Sequence, residues 1–389
     1  MKEEFKLFLW RLRLLILLVL GLPLLSFAIW YFTPSKPLDI LIIDKTVPDQ
    51  SFQEHKGLFW TLNHLKYSKS TGEPYQSEKD YLGFFPNDQE DYGQAKDLKG
   101  KTDDEISTIA DDYGLIYFAD TYGVFEGDFS NNTEVKITKK IYGGLDQADN
   151  QLIRHAKEKG KVLVAEYNSM ASPTPKAIRT EFENLMGIKW TGWIARYFDE
   201  LDTLNNTSIP KWMIRQYQKQ HETWDLSGPG LIFIKETGEI EGFEHQADYQ
   251  NKIPLVRTQK INKHGFRLPE VVPYPDWFDV VMIERDYQVI SYYDIDPTLE
   301  GLQRLRSMGL PRFFPAAVVR KAGEGSQYYF AGDYSDISGN FGSPYFFGLP
   351  ILWRGLYVAS DYSDRQGFFW NYYHPLITQV MKKARKDTK

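Results

Sequence analysis

Asp146–Ser169, DQADNQLIRHAKEKGKVLVAEYNS, is the stretch whose reading decides the fold. Gly143-Gly144 precede it, a helix is expected from about Asp146 to Lys159, and Gly160 closes that helix where glycine usually does. Val162–Ala165 (VLVA) then has the short, unbroken apolar run of a strand buried on both faces, ending in Glu166-Tyr167-Asn168-Ser169. The pattern occurs twice upstream: Leu38–Ile43 (LDILII) ends in Asp44, and Gly114–Phe118 (GLIYF) ends in Ala119-Asp120. Between them Phe52, Leu58, Phe59, Leu62 and Leu65 fall at helical spacing. Tyr81–Phe85 reads as a further strand, and the polar, turn-rich residues 86–104 as a surface loop. Pro173 and Pro175 open a helix carrying Ile178, Phe182, Leu185 and Met186 on one face, stopped by Gly187. Strand–helix alternation from 38 to 187 predicts an α/β fold with a doubly wound, mostly parallel sheet.

Beyond residue 187 the pattern changes to paired strands. Leu231–Phe243, Val280–Tyr293 and Pro315–Ala331 are expected hairpins, turning at Thr237-Gly238, Arg285-Asp286 and Gly323-Glu324-Gly325. They would add antiparallel strands to the parallel sheet. Phe368 to about Lys386 reads as a terminal helix whose basic end suits the helix dipole.

Composition narrows the function classes. The chain has 389 residues, 42% of them hydrophobic, which is enough for a real core. Its 46 Lys+Arg against 52 Asp+Glu give a net charge of −6, which argues against nucleic acid as a partner. With no cysteine, thiol nucleophiles, Cys-ligated zinc and disulfides are excluded. The seven histidines show no H-x-H or H-E-x-x-H spacing, so no metal is expected, and nothing calls for a cofactor.

The N-terminus sets the compartment. Leu14–Phe32, LLILLVLGLPLLSFAIWYF, carries no charge and would span roughly 28 Å as a helix. Lys2, Lys6, Arg11 and Arg13 precede it, so residues 1–13 are expected as a cytoplasmic tail and 14–32 as a transmembrane anchor in the cell membrane. Residues 33–37, with Pro34 and Pro37, form a stiff linker, and 38–389 an extracytoplasmic domain. A cleaved signal peptide ending at Ser26-Phe27-Ala28 is the competing reading. Removing the four cations and two anions of residues 1–13 leaves 42 against 50, an acidic remainder not expected to cling to anionic head groups.

Two stretches carry a likeness. Gly143-Gly144 through Glu166 resembles the helix, glycine, apolar strand and sharp turn of the type 1 glutamine amidotransferase-like superfamily, a flavodoxin-like α/β fold. Phe314-Pro315-Ala316-Ala317 through Gly332-Asp333 resembles the late hairpin of trehalose-utilisation-type members. Where active families carry Cys in a G-x-C-x-G elbow, this chain has Ala165-Glu166-Tyr167-Asn168, and no His-x-Glu pair follows. Glutaminase activity is therefore excluded. The resemblance implies a fold that has lost amidase chemistry.

Ligands in open parallel sheets bind beyond the carboxyl ends of the strands. Asp44, Asp120 and Glu166 end three expected strands, and Asp333 follows a fourth. Together they would line one cleft rimmed by Tyr122 and Tyr167, with Asn168 beside them. Glu126 lies in the aromatic loop after Asp120, Asp336 in the glycine-rich loop 332–342, and Arg196 in an aromatic stretch suited to stacking on sugars. The alternative is that the strand-end carboxylates cap the turns that follow them. Ser169 lacks the glycine context of a serine elbow, and Asn131 and Asn205 head glycosylation acceptors. The expected function is a membrane-anchored binding or accessory protein, with a glycan or an envelope complex as partner. A glycan-directed hydrolase using the carboxylates, or a structural membrane subunit, are the alternatives.

Overall fold

The computed structural model describes every residue except 1, 88–91, 130–138, 262–263, 340–341, 345, 357–363 and 388–389. The acceptor at Asn131 and residues 340–341 of the glycine-rich loop lie outside the described residues.

Helix α1 (Lys2–Phe32) is continuous through Pro23 and begins well before the uncharged run. It is the one described helix long and apolar enough to cross a membrane. The strands read from their apolar runs then appear in order: β1 (Ile40–Asp44), β2 (Leu82–Pro86), β3 (Leu115–Asp120), β4 (Val162–Glu166) and, much later, β5 (Gly325–Phe330). They pair in parallel in the spatial order β2-β1-β3-β4-β5. This is the order of flavodoxin-like sheets, and the chain changes direction across the sheet between β1 and β3. Helices α2 (Gln53–His64), α3 (Asp103–Asp112), α4 (Gln147–Glu158) and α5 (Lys176–Met186) lie between these strands in sequence. Asp146 caps α4, accepting from the Ala148 and Asp149 amides, with Asp149 closing the capping box.

Antiparallel strands extend both edges. Phe314–Ala322 pairs with β5, followed outward by Gln288–Asp294, Leu255–Thr258 and Val271–Pro273. On the other edge Gly93–Lys96 pairs with β2, inside the segment expected to be only a loop. A two-stranded edge needs little apolar burial, and three of those four residues are exposed, so composition hides the strand.

A second sheet runs Ile240–Glu244, Gly230–Lys235, Ile188–Phe198, Phe278–Ile283, with α6 (Lys211–His221) against it. Phe198, Leu201, Met213, Tyr217 and Ile232 give it a core of its own. The hairpins at 231–243 and 315–331 form as expected. The one at 280–293 does not. Its first strand pairs with Ile188–Phe198 and its second with Phe314–Ala322, so the chain crosses between sheets at Arg285-Asp286. Alternating apolar residues declare a strand but not its partner. α7 (Leu299–Ser307), α8 (Leu349–Leu356), α9 (Arg365–Phe368), a π turn at Phe369–Tyr373 and α10 (His374–Asp387) complete the chain.

Candidate functional site

At the point where strand order reverses, the ends of β1 and β3 lie side by side. The register slips between Ile43 and Asp44, so Ala119 is bulged out and Asp44 stands opposite Asp120. Bulges commonly re-aim a side chain in this way. Gly83 lets β2 come in from the other side. At φ +149°, a Cβ there would lie 1.5 Å from the Asp44 carbonyl oxygen.

Both aspartates are buried, and Thr46 bridges them. Asp44 accepts from the Thr46 amide at 2.9 Å, and its other oxygen lies 2.7 Å from His55 Nδ1. His55 Nε2 faces the Ser77 carbonyl at 3.0 Å, so the ring is held between that carbonyl and the Asp44 carboxylate. Asp120 accepts from Thr46 Oγ1 at 2.6 Å, from the Tyr122 amide at 2.6 Å, and from Asn168 Nδ2 at 3.1 Å. Asn168 reaches it from a left-handed backbone at φ 64°, a conformation asparagine tolerates. Burial, then the neighbouring Asp44, pushes the Asp120 carboxyl up to about 7.

Glu54, in the first turn of α2, completes the group. Burial, then Asp44 and Asp336, pushes it up to about 10, so it is an uncharged acid at neutral pH. Its Oε2 is buried with no partner among the described residues. Asp336 likewise keeps one buried oxygen, Oδ1, unpartnered among them. A site with a protonated acid, a carboxyl poised near neutrality and spare acceptors both donates and accepts hydrogen bonds.

Arg365 closes the far side. Its Nε lies 2.7 Å from Asp276, its Nη1 2.8 Å from Asp336, and its Nη2 donates to the Asp333 carbonyl at 2.8 Å. Burial opposes its charge, but Asp276, Asp336 and Asp333 outweigh it and hold the guanidinium charged. Burial, then Asp336, raises Asp333 well above the usual carboxylate range.

Glu166 stands apart from this group. Its side chain is fully buried beneath the loop that follows β5. One oxygen accepts from Tyr117 Oη, and the other from the Tyr334 amide at 2.9 Å, the Ser335 amide at 3.0 Å and Ser335 Oγ at 3.1 Å. Burial pushes it up to about 8. The expected solvent cleft shared by Asp44, Asp120 and Glu166 is therefore not present: all three side chains are covered. Around Asp44 and Asp120, by contrast, Thr46, Glu54, Tyr122 and Asn168 are only partly buried.

The rim residues divide. Tyr122 is half-buried near Asp120 and packs on Phe125 at 4.9 Å between ring centroids. Burial, then Asp128 and Asp120, raises its phenol to about 12. Tyr167 is buried, and its phenol is raised by burial and by Asp279, Asp333 and Asp120. Glu126 is partly exposed, 3.7 Å from Lys139. Arg196, on the second sheet, lies 5.2 Å from the Phe198 ring and 5.4 Å from the Trp277 ring. No three His, Asp or Glu side chains converge as metal ligands among the described residues. The sequence reading missed Glu54, His55, Asp276 and Arg365. The signal available was Glu54-His55 in the turn after LDILII, where an apolar helix begins.

The fold and site together define a mixed α/β protein with acid groups gathered at the switch point of its sheet. No family model matches the sequence, and no curated protein matches it. Among solved structures, the chain is similar to a cold-adapted β-galactosidase from Rahnella sp. R3 at 11% identity and TM-score 0.34, over 89% of this chain and 31% of that one. It thus spans less than a third of that enzyme's length. A ThuA-like protein from Bacteroides uniformis aligns at 10% identity and TM-score 0.35, over 86% of this chain and 97% of that one. A carbohydrate deacetylase aligns at 12% identity and TM-score 0.26, over 76% of this chain and 29% of that one. Likenesses of this size carry no argument about activity, so the site is read from its own residues.

Proposed function

We propose that the chain is a single-pass membrane protein, N-terminus cytoplasmic, whose extracytoplasmic domain binds a neutral, hydroxyl-rich ligand at the β1/β3 switch point. A glycan has that chemistry, and the role we propose for such binding is an accessory one in envelope polysaccharide synthesis or export. The observation that carries the reading is the buried Glu54 Oε2, without a partner among the described residues, beside Asp44 and Asp120. Sugar hydroxyls both donate and accept, which suits an uncharged acid next to carboxylates. The strand order supports a doubly wound, flavodoxin-like layering, in which ligands sit at this point. The exposed apolar α1 supports the anchor.

A second reading, a glycan-directed hydrolase, is favoured by one observation. Asp120 is pushed up to about 7 and Glu54 to about 10, and acids whose pKa values are driven apart suit acid/base chemistry. One experiment separates the two. The full chain in nanodiscs is passed over immobilised neutral and acidic oligosaccharides, and the eluate is analysed for cleavage. Retention without cleavage supports binding, cleavage supports the hydrolase, and no retention with no cleavage contradicts both.

A further inference from the structure

Net charge argues the domain away from an anionic surface, yet cations gather where α1 enters it. Lys66 Nζ sits 4.3 Å above the Trp30 ring and donates to the Tyr31 carbonyl at 3.4 Å. Lys36, four residues past the end of α1, donates to the Leu65 carbonyl at 3.2 Å, and Lys382 and Arg385 of α10 lie close enough to act on its charge. Trp30 Nε1 donates to the His64 carbonyl at 2.8 Å, fixing the helix to the domain.

One contact lies deeper. The Gly348 amide donates to Ser26 Oγ at 3.3 Å, and α8 starts at the next residue. Ser26 precedes the end of α1 by about 9 Å along the axis. Thus α8 begins alongside the apolar helix rather than above it. One face of α8 is tied to the domain: Leu349 and Pro350 are buried, Trp353 stacks on Trp370 at 6.2 Å, and Arg354 Nε donates to the Trp370 carbonyl at 2.9 Å. The other face is uncovered among the described residues. Ile351, Leu352 and Leu356 are 73%, 53% and 58% exposed.

We propose that α8 is a second membrane contact, lying in the bilayer interface beside α1, with Lys36, Lys66, Lys382 and Arg385 turned to anionic head-group phosphates. Interfacial helices bury their apolar face by about 5–10 Å, which matches the depth of Ser26. Two attachments fix the tilt of the domain, which one helix leaves free. This rests on the reading that α1 spans a membrane, and the test keeps the two apart.

The chain has no cysteine, so single labelling sites are clean. Leu20→Cys, Ile351→Cys and Leu204→Cys, each in the full-length protein, are labelled with an environment-sensitive fluorophore. They are reconstituted in phosphatidylglycerol/phosphatidylcholine vesicles containing nitroxide-bearing lipid. The label at 351 should be blue-shifted and quenched like the one at 20, while the label at 204 stays unquenched. Quenching at 20 but not at 351 overturns this inference and leaves the anchor intact; no quenching at 20 overturns the anchor itself. Pure phosphatidylcholine should reduce quenching at 351 only, and equal quenching in both lipids contradicts the head-group role.

Discussion

Glu166 shows how one side chain carries more structure than its position in a motif implies. Four donors converge on it, from Tyr117, the Tyr334 and Ser335 amides, and the Ser335 hydroxyl. Glu166→Ala would take the acceptor away from all four and should cost about 2–5 kcal/mol in urea unfolding. Glu166→Gln should cost far less, because the amide oxygen can take the crowded position while Tyr117 turns its hydroxyl. Equal losses for the two variants would contradict the anchoring role. The buried acids also set a pH dependence. Asp120, Glu166 and Glu54 hold their protons up to about 7, 8 and 10 when folded, burial being the first cause in each, against ordinary values near 4 when unfolded. From pH 6.5 to 8 the native chain therefore binds more protons than the unfolded one, and stability falls as pH rises. Each fully differing proton is worth about 1.4 kcal/mol per pH unit. Below 6.5 two groups oppose this trend: burial holds His64 at about 4 and His374 lower than usual, so at these two the unfolded chain binds more protons. Melting temperature should drop between pH 6.5 and 8; a rise over that window contradicts the account.

Among elements, legibility follows burial. LDILII, GLIYF and VLVA announce themselves because both faces of a parallel strand are covered, leaving an uninterrupted apolar run. Gly93–Lys96 does not, since an edge strand tolerates polar residues. Val280–Tyr293 reads as a hairpin because strand pattern is local while pairing is not. The site was legible only where it sat on strand ends. Asp44 and Asp120 follow from topology, whereas Glu54, His55 and Arg365 arrive from a helix start and from a segment over three hundred residues later, with no spacing to link them. Gly83 is the element-scale test. Gly83→Ala would drive a methyl into the Asp44 carbonyl, with nothing flexible to yield, and should loosen the pairing of β2 with β1. Amide exchange should quicken across Leu82–Pro86 and Gly93–Lys96 and stay slow in the 314–330 hairpin. Unchanged exchange in the first hairpin would mean that the close approach is not needed.

At the scale of the molecule, an apolar N-terminal helix is joined to a group of acids at the switch point of a mixed sheet. The two are coupled through α2: its first turn supplies Glu54 and His55, and its last supplies the His64 carbonyl that receives Trp30 of α1. In the proposed topology this arrangement would hold the site at a set height above the bilayer. The most direct test is calorimetric titration of the nanodisc-held chain with the oligosaccharide that it retains best, for wild type, Asp120→Asn and Glu54→Leu. Melting curves establish that each variant is folded. Glu54→Leu removes both the acid proton and the spare oxygen, and Asp120→Asn removes the charge poised near neutrality. The account predicts that each weakens binding at least tenfold, about 1.4 kcal/mol. Wild-type affinity in both folded variants would contradict it.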